Sequence, residues 1–236
     1  MVKNYHYYNM FSPDGTLLQV EYALEAANNS IPISVVQGKN IVVCAYKKQT
    51  IELLEEHVPG KVFQVSKNVF VVITGILADI DQIIYKIKDM ACSLEYKIGM
   101  PVSSDILCRS FADKMQKLIQ STGERALSFN AVFISFDNED PVMYYTDTSA
   151  VVYPYFAVGI GEHYSRINKH LEKKYTKNMT EQETIDLAIE SLSESIGAEF
   201  NPNDIAVVYF SKDLILRNLS VEQIDAALMR ISEMED

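Results

Sequence analysis

The amino-acid sequence predicts an α+β protein, a four-layer αββα sandwich with two antiparallel sheets between outer helix layers. Three observations carry this. The hydrophobic period switches in blocks: one helix, four strands, two helices, four strands, two helices, two strands and a last helix. Connections of hairpin length join successive strands, which makes the sheets antiparallel. The middle helices come in pairs with apolar stripes, so each pair can roof one sheet.

The elements follow in order. Ser12-Pro13-Asp14-Gly15 reads as a turn. A helix over 16–29 follows, opened by a capping box of Thr16 and Gln19. Leu17, Val20, Leu24 and Ala27 make one stripe, and Leu18, Tyr22 and Ala26 a second. A helix apolar on two sides is covered on two sides, and near a chain end another chain can supply the second cover. Two strand pairs come next, Ile33–Val36 with Ile41–Ala45 and Val62–Val65 with Val69–Ile73. Two helices carry the stripes Ile80, Ile84, Ile87, Ala91, Leu94 and Leu107, Phe111, Met115, Leu118, separated by Gly99-Met100-Pro101. Strands return at Ala131–Phe136, Val142–Thr146, Val151–Tyr153 and Phe156–Ile160. Helices follow at Glu162–Tyr175 and Thr180–Ile196, the second with a Thr180/Glu183 capping box. Strands Ile205–Phe210 and Leu214–Arg217 lead to a last helix, opened by Ser220 and Gln223.

The 236 residues fit one domain, spanning 1–236. Within it, 1–15 form an N-terminal tail and turn, 16–29 the first helix and 30–236 the sandwich. Apolar residues make up 48% of the chain and charged residues 22%, enough for a large core and too apolar for bulk disorder. The net charge is −11, which argues against nucleic acid or an anionic membrane as the main partner. No apolar run reaches the ~18 residues that span a bilayer, and residues 1–8 lack the apolar core of a signal peptide. Cys44, Cys92 and Cys108 read as reduced core residues of a cytoplasmic and nuclear protein.

Chemical motifs are sparse. His163 and His170 lie seven apart on one helix face, but metal pairs on helices sit three or four apart and no third ligand is near. No metal and no cofactor is expected. Gly159-Ile-Gly161 begins a dinucleotide fingerprint without its third glycine, and a tight strand-to-helix turn explains it better. Gly15-Thr16 raises the alternative of a catalytic N-terminal threonine hydrolase, whose freed amine activates its own hydroxyl. That nucleophile should begin a strand in a cleft, whereas Thr16 opens a helix. Tyr5, Tyr7, Tyr8 and Tyr22 crowd the N-terminal segment, and such side chains are common at interfaces.

The run Phe11-Ser-Pro-Asp-Gly-Thr-Leu-Leu-Gln-Val-Glu-Tyr-Ala-Leu-Glu-Ala26 resembles the signature of α-type subunits of the 20S proteasome, F-S-P-[DE]-G-R-L-x-Q-V-E-Y-A-x-[EK]-A. Gly38-Lys39-Asn40, Thr74-Gly75-Ile76-Leu77-Ala78-Asp79 and Asp147 are further matches, and the likeness covers nearly the whole chain. Within the family, Pro101–Asp113, Leu171–Lys174 and Glu222–Leu228 resemble the alpha type 6 branch. Departures are Ala126-Leu127-Ser128 after Arg125, where the family has P-x-G, and Thr148-Ser149 in place of P-A.

The resemblance implies an N-terminal nucleophile hydrolase-like αββα fold without catalytic residues. It implies a place in a heteroheptameric α ring stacked on β subunits, serving ubiquitin-dependent protein degradation. The implied ring interface includes Phe11, Leu18, Gln19 and Tyr22. The implied axial gate involves Pro13 and Tyr22, with the family's Y-D-R triplet falling on Asn4, Tyr5 and His6. The implied pocket for C-terminal tails of regulatory particles holds Lys61, Gly75 and Ile76, with the lysine pairing the tail carboxylate.

Overall fold

The computed structural model describes residues 11–48, 60–121, 124–137, 140–197 and 201–235. Its strands form two five-stranded sheets. In the first sheet, β1 (Ile33–Gln37) and β2 (Ile41–Lys47) pair as a hairpin. They are joined by β8 (Ala157–Ile160), β9 (Ile205–Ser211) and β10 (Arg217–Asn218) in the order β10-β9-β2-β1-β8. The second sheet runs β3 (Val62–Gln64), β4 (Phe70–Gly75), β5 (Phe129–Asp137), β6 (Asp140–Asp147) and β7 (Val152–Pro154) in chain order. Every pairing is antiparallel.

Most strands read as continuous apolar runs because both of their faces are covered. Alternate residues then serve different cores. Ile33, Val35, Val42, Cys44, Phe70, Val72, Val132 and Ile134 meet between the sheets. Their neighbours Val71, Ile73, Ala131 and Phe133 face α2 (Leu77–Ile98) and α3 (Ser104–Gln120), against Ile80, Ile87, Leu107 and Phe111. Val36, Val43, Ala45 and Val207 face α4 (Tyr164–Lys174), α5 (Glu181–Ile196) and α6 (Val221–Glu235). These three cores make the four layers that the block order predicts.

Local details both match and correct the sequence reading. The Thr180/Glu183 capping box is present, and the Ser220/Gln223 pair bonds reciprocally at 2.9 and 3.3 Å. The Thr16/Gln19 box is not. Helix α1 spans Leu18–Asn28, its N-cap is Leu17, and no side chain caps it. Ser12 takes Thr16 instead: the two hydroxyls lie 2.7 Å apart, and the Thr16 N–H donates to Ser12 Oγ at 3.1 Å. Cys92 is exposed on α2, so only Cys44 and Cys108 are core cysteines. The helical period that buries Ile87 and Ala91 turns Cys92 outward.

Expected strand Leu214–Arg217 shrinks to Arg217–Asn218. Leu214 has φ +58°, and Asp213 accepts hydrogen bonds from Ile215 N–H and Arg217, which closes a turn there. The Gly159/Gly161 segment is the tight strand-to-helix turn expected. A Cβ at Gly159 would lie 2.4 Å from Ile167, and one at Gly161 would lie 2.2 Å from the Ile31 carbonyl oxygen. His163 lies 3.6 Å from Glu162, and His170 faces Glu190 and Glu194 of α5 at 3.4 and 3.2 Å. Among the described residues, no helix is long and apolar enough to cross a membrane.

Candidate functional site

One end of the second sheet is covered by α1, and the site is built around that cover. Val20, Ala23 and Ala27 are buried, with Leu17 and Leu24 partly so. Beneath the helix lies a rim of buried polar side chains, Thr74, Ser128 and Asn130. Buried polar atoms need partners, and here each finds one on α1 or just past it. Ser128 Oγ donates to the Ala23 carbonyl at 2.8 Å. Asn130 Nδ2 donates to Asn28 Oδ1 at 3.0 Å. Thr74 Oγ1 donates to the Ile31 carbonyl at 2.9 Å and sits 2.8 Å from Ser30 Oγ. The helix is therefore fastened to the sheet by hydrogen bonds as well as by apolar contact.

A second layer holds this rim. Asp79, in the first turn of α2, is 4% exposed. Its carboxylate accepts Arg125 Nη1 and Nη2 at 2.7 and 2.5 Å, and the Ser128 N–H at 2.9 Å. Burial pushes this carboxyl up, but the bonds from Arg125 and Ser128 outweigh it and hold the group below the usual carboxylate range. On the other side, the Tyr145 hydroxyl lies 3.1 Å from Asn130 Oδ1 and 3.0 Å from Asp147 Oδ2, its one proton shared between the two acceptors. Burial first, and then the Asp147 charge, push that phenol up. Asp147 also accepts the Ser149 N–H at 2.8 Å, and Thr148 Oγ1 donates to the Leu127 carbonyl at 2.8 Å. Thr148 and Ser149 thus build their turn from side-chain bonds.

Of the second apolar stripe of α1, Leu18 and Tyr22 stay uncovered while Ala26 is half-buried. Leu18 is exposed and Tyr22 is 61% exposed, with Phe11 before them at 71%. Gln19 is partly buried, and Pro13 lies on the exposed turn Ser12–Gly15. Asn4, Tyr5 and His6 lie outside the described residues.

Lys61 precedes β3, and its carbonyl accepts the Ile73 N–H at 3.0 Å. That bond sets Lys61 beside the end of β4, close to Gly75. Lys61 is half-buried. Burial lowers its ammonium from the usual lysine range, and the Asp81 charge opposes this. Asp81 lies in the second turn of α2, so Lys61 is within electrostatic reach of that helix, and Gly75 and Ile76 join β4 to it at this corner. Ile76 is the N-cap of α2, 42% exposed, and its N–H donates to the Ser128 carbonyl at 3.2 Å. The sequence names this corner and the α1 face. It does not name Asp79, Ser128, Asn130 or Tyr145 as their support. The string Thr74–Asp79 and the matched Arg125 hold the available signal.

A freed threonine nucleophile would need to begin a strand in an accessible cleft, and Thr16 does not: the next regular element is the helix α1, which packs over the second sheet. Thr16 sits in a closed turn ahead of α1. Comparison with known proteins agrees. Residues 28–210 match the proteasome subunit family, and residues 6–26 match the N-terminal signature of its A-type members. "Probable proteasome subunit alpha type-1" of Schizosaccharomyces pombe is 31% identical over 234 residues, covering 96% of this chain and 95% of its own. "Proteasome subunit alpha type-8" of Mus musculus is 29% identical over 231 residues, covering 96% and 92%. "Proteasome subunit alpha" of Saccharolobus islandicus is 32% identical over 205 residues, covering 86% and 85%. The chain belongs to the proteasome subunit family as an α-type member, a non-catalytic ring component of the 20S core that assembles with other subunits.

Proposed function

We propose that this protein closes the α ring through α1, contributes to the substrate-entry gate and docks regulatory-particle tails beside Lys61, in ubiquitin-dependent protein degradation. The uncovered stripe of α1 carries this reading. Leu18 and Tyr22, one turn apart, present exposed apolar side chains on a helix that is otherwise fastened down, and Phe11 is exposed in the segment ahead of it. Such a surface calls for a partner, and within a ring the partner is a neighbouring α subunit. Partners on the other faces are β subunits and the regulator. The stretches Pro101–Asp113 and Glu222–Leu228 support the alpha type 6 position, which cross-linking to identified neighbours tests. The free buried thiols Cys44 and Cys108 support a reducing cytoplasmic and nuclear location, tested by imaging the tagged protein.

Native mass spectrometry of the purified assembly is the direct test of ring membership. Recovery as a monomer with no related α chain attached overturns it. Thr16→Ala in the assembled particle should leave peptidase activity unchanged, and N-terminal sequencing should find no new terminus at Thr16. A threonine freed there would restore the hydrolase alternative.

Lys61 is the cation of the proposed tail pocket. Its half-buried ammonium is poorly hydrated and so pairs strongly with a terminal carboxylate. Lys61→Glu is expected to weaken binding of a regulator tail peptide by at least about tenfold while rings still assemble. Equal affinity in isothermal titration would remove Lys61 from the pocket.

A further inference from the structure

Ser128 reaches three elements with three different groups. Its N–H donates to Asp79 Oδ2 in the first turn of α2 at 2.9 Å. Its hydroxyl donates to the Ala23 carbonyl in the middle of α1 at 2.8 Å. Its carbonyl accepts the N–H of Ile76, the N-cap of α2, at 3.2 Å. Ser128 is 1% exposed, so water does not compete for these bonds. A mid-helix carbonyl already takes part in the helix ladder, so the bond from Ser128 is additional and ties the middle of α1 to the sheet beneath it.

We propose that Ser128 is a positioning residue that couples the seat of α1 to the Gly75–Ile76 corner. This rests on reading that corner as the regulator-tail pocket. The steric setting supports rigid transmission. A Cβ at Gly75 would lie 2.2 Å from the Ser128 carbonyl oxygen, so the corner and Ser128 are in close backbone contact with no room between them. A tail that shifts or fixes Ile76 therefore acts on Ser128, and Ser128 acts on Ala23. The other side-chain ties described above, Asn130 to Asn28 and Thr74 to Ser30, lie at or just beyond the C-terminal end of α1. They fix where the helix ends. Ser128 alone among these ties holds its middle and also bonds the start of α2. The coupling works both ways: if the tail firms the seat of α1, a loosened α1 weakens tail binding.

The test uses assembled 20S particles carrying Ser128→Ala, with a synthetic regulator C-terminal tail peptide as probe. Amide hydrogen exchange of α1 is read with and without the peptide. In Ser128→Ala, α1 should exchange about three- to tenfold faster, the loss expected for one buried hydrogen bond. The peptide-induced change in α1 exchange, present in the wild type, should be lost. Ser128→Cys keeps the volume with a weaker donor and should fall between. Tail binding with α1 exchange identical in wild type and Ser128→Ala overturns the coupling and leaves the pocket standing. Failure of wild-type particles to bind the peptide overturns both readings.

Discussion

Replacing Asp79 by alanine is expected to lower the unfolding free energy by about 2–4 kcal/mol and to loosen α1. The change does three things at once. It removes the two-pronged bond to Arg125, it leaves the buried Ser128 N–H without an acceptor, and it leaves the Ile76 N–H to Ser128 carbonyl bond as the remaining described hydrogen bond between the Arg125–Ser128 segment and the start of α2. The Arg125 side chain is 58% exposed and can return to water, so its lost pairing is the smaller part. The larger part is the orphaned Ser128 N–H, because that backbone has no water to turn to. The same carboxyl sets an acid limit. Its folded form is held below the usual range, whereas in the unfolded chain it returns to about 3.9. The unfolded state then binds the proton more readily. The stabilisation is complete above that ordinary value and is lost as pH falls through the lowered folded one. Urea denaturation at neutral pH should show the Asp79→Ala deficit, and the gap to wild type should narrow on acidification. An equal gap at all pH values would show that Asp79 is not the charged anchor.

The parts of this architecture that are local in sequence were legible there, and the parts that bridge distant segments were not. The Thr180/Glu183 and Ser220/Gln223 boxes are read correctly because donor and acceptor are three residues apart and bond each other reciprocally. Thr16/Gln19 has the same spacing and fails, because Ser12 captures the Thr16 N–H and lies against its hydroxyl. Period-2 patterning finds the strands, yet it cannot say that β9 lies beside β2 or that β8 crosses to the first sheet. Those neighbours are chosen by fit between surfaces far apart in the chain. The support of the site is of the same kind. Asp79 meets Arg125 across 46 residues and Ser128 meets Ala23 across 105. Neither pairing leaves a spacing signature. The exposed stripe Leu18–Tyr22 was legible because it is a helix-face pattern, and a surplus apolar face is visible in one turn of sequence.

Gly75→Ala should be among the most damaging single-methyl additions, at about 3–5 kcal/mol, and should impair incorporation into rings. Gly75 has φ +150°, a conformation that side-chain-bearing residues rarely adopt. Its added Cβ would stand 2.2 Å from the Ser128 carbonyl oxygen and 2.9 Å from Phe129 Cα. Both are backbone atoms, so no rotamer change relieves the clash. The last residues of β4 must then withdraw from β5, where Gly75 pairs with Phe129. The Ile76-to-Ser128 bond breaks with them, and the corner that holds Lys61 and the start of α2 opens. Gly99 supplies the control. It too has positive φ, +75°, at the C-cap of α2, but nothing lies within 4 Å of its added Cβ. Gly99→Ala should therefore cost only the backbone strain, about 1 kcal/mol. Paired denaturation curves separate the two contributions. A Gly75→Ala deficit no larger than that of Gly99→Ala would mean that the corner yields, and a corner that yields cannot carry displacement from Ile76 to α1.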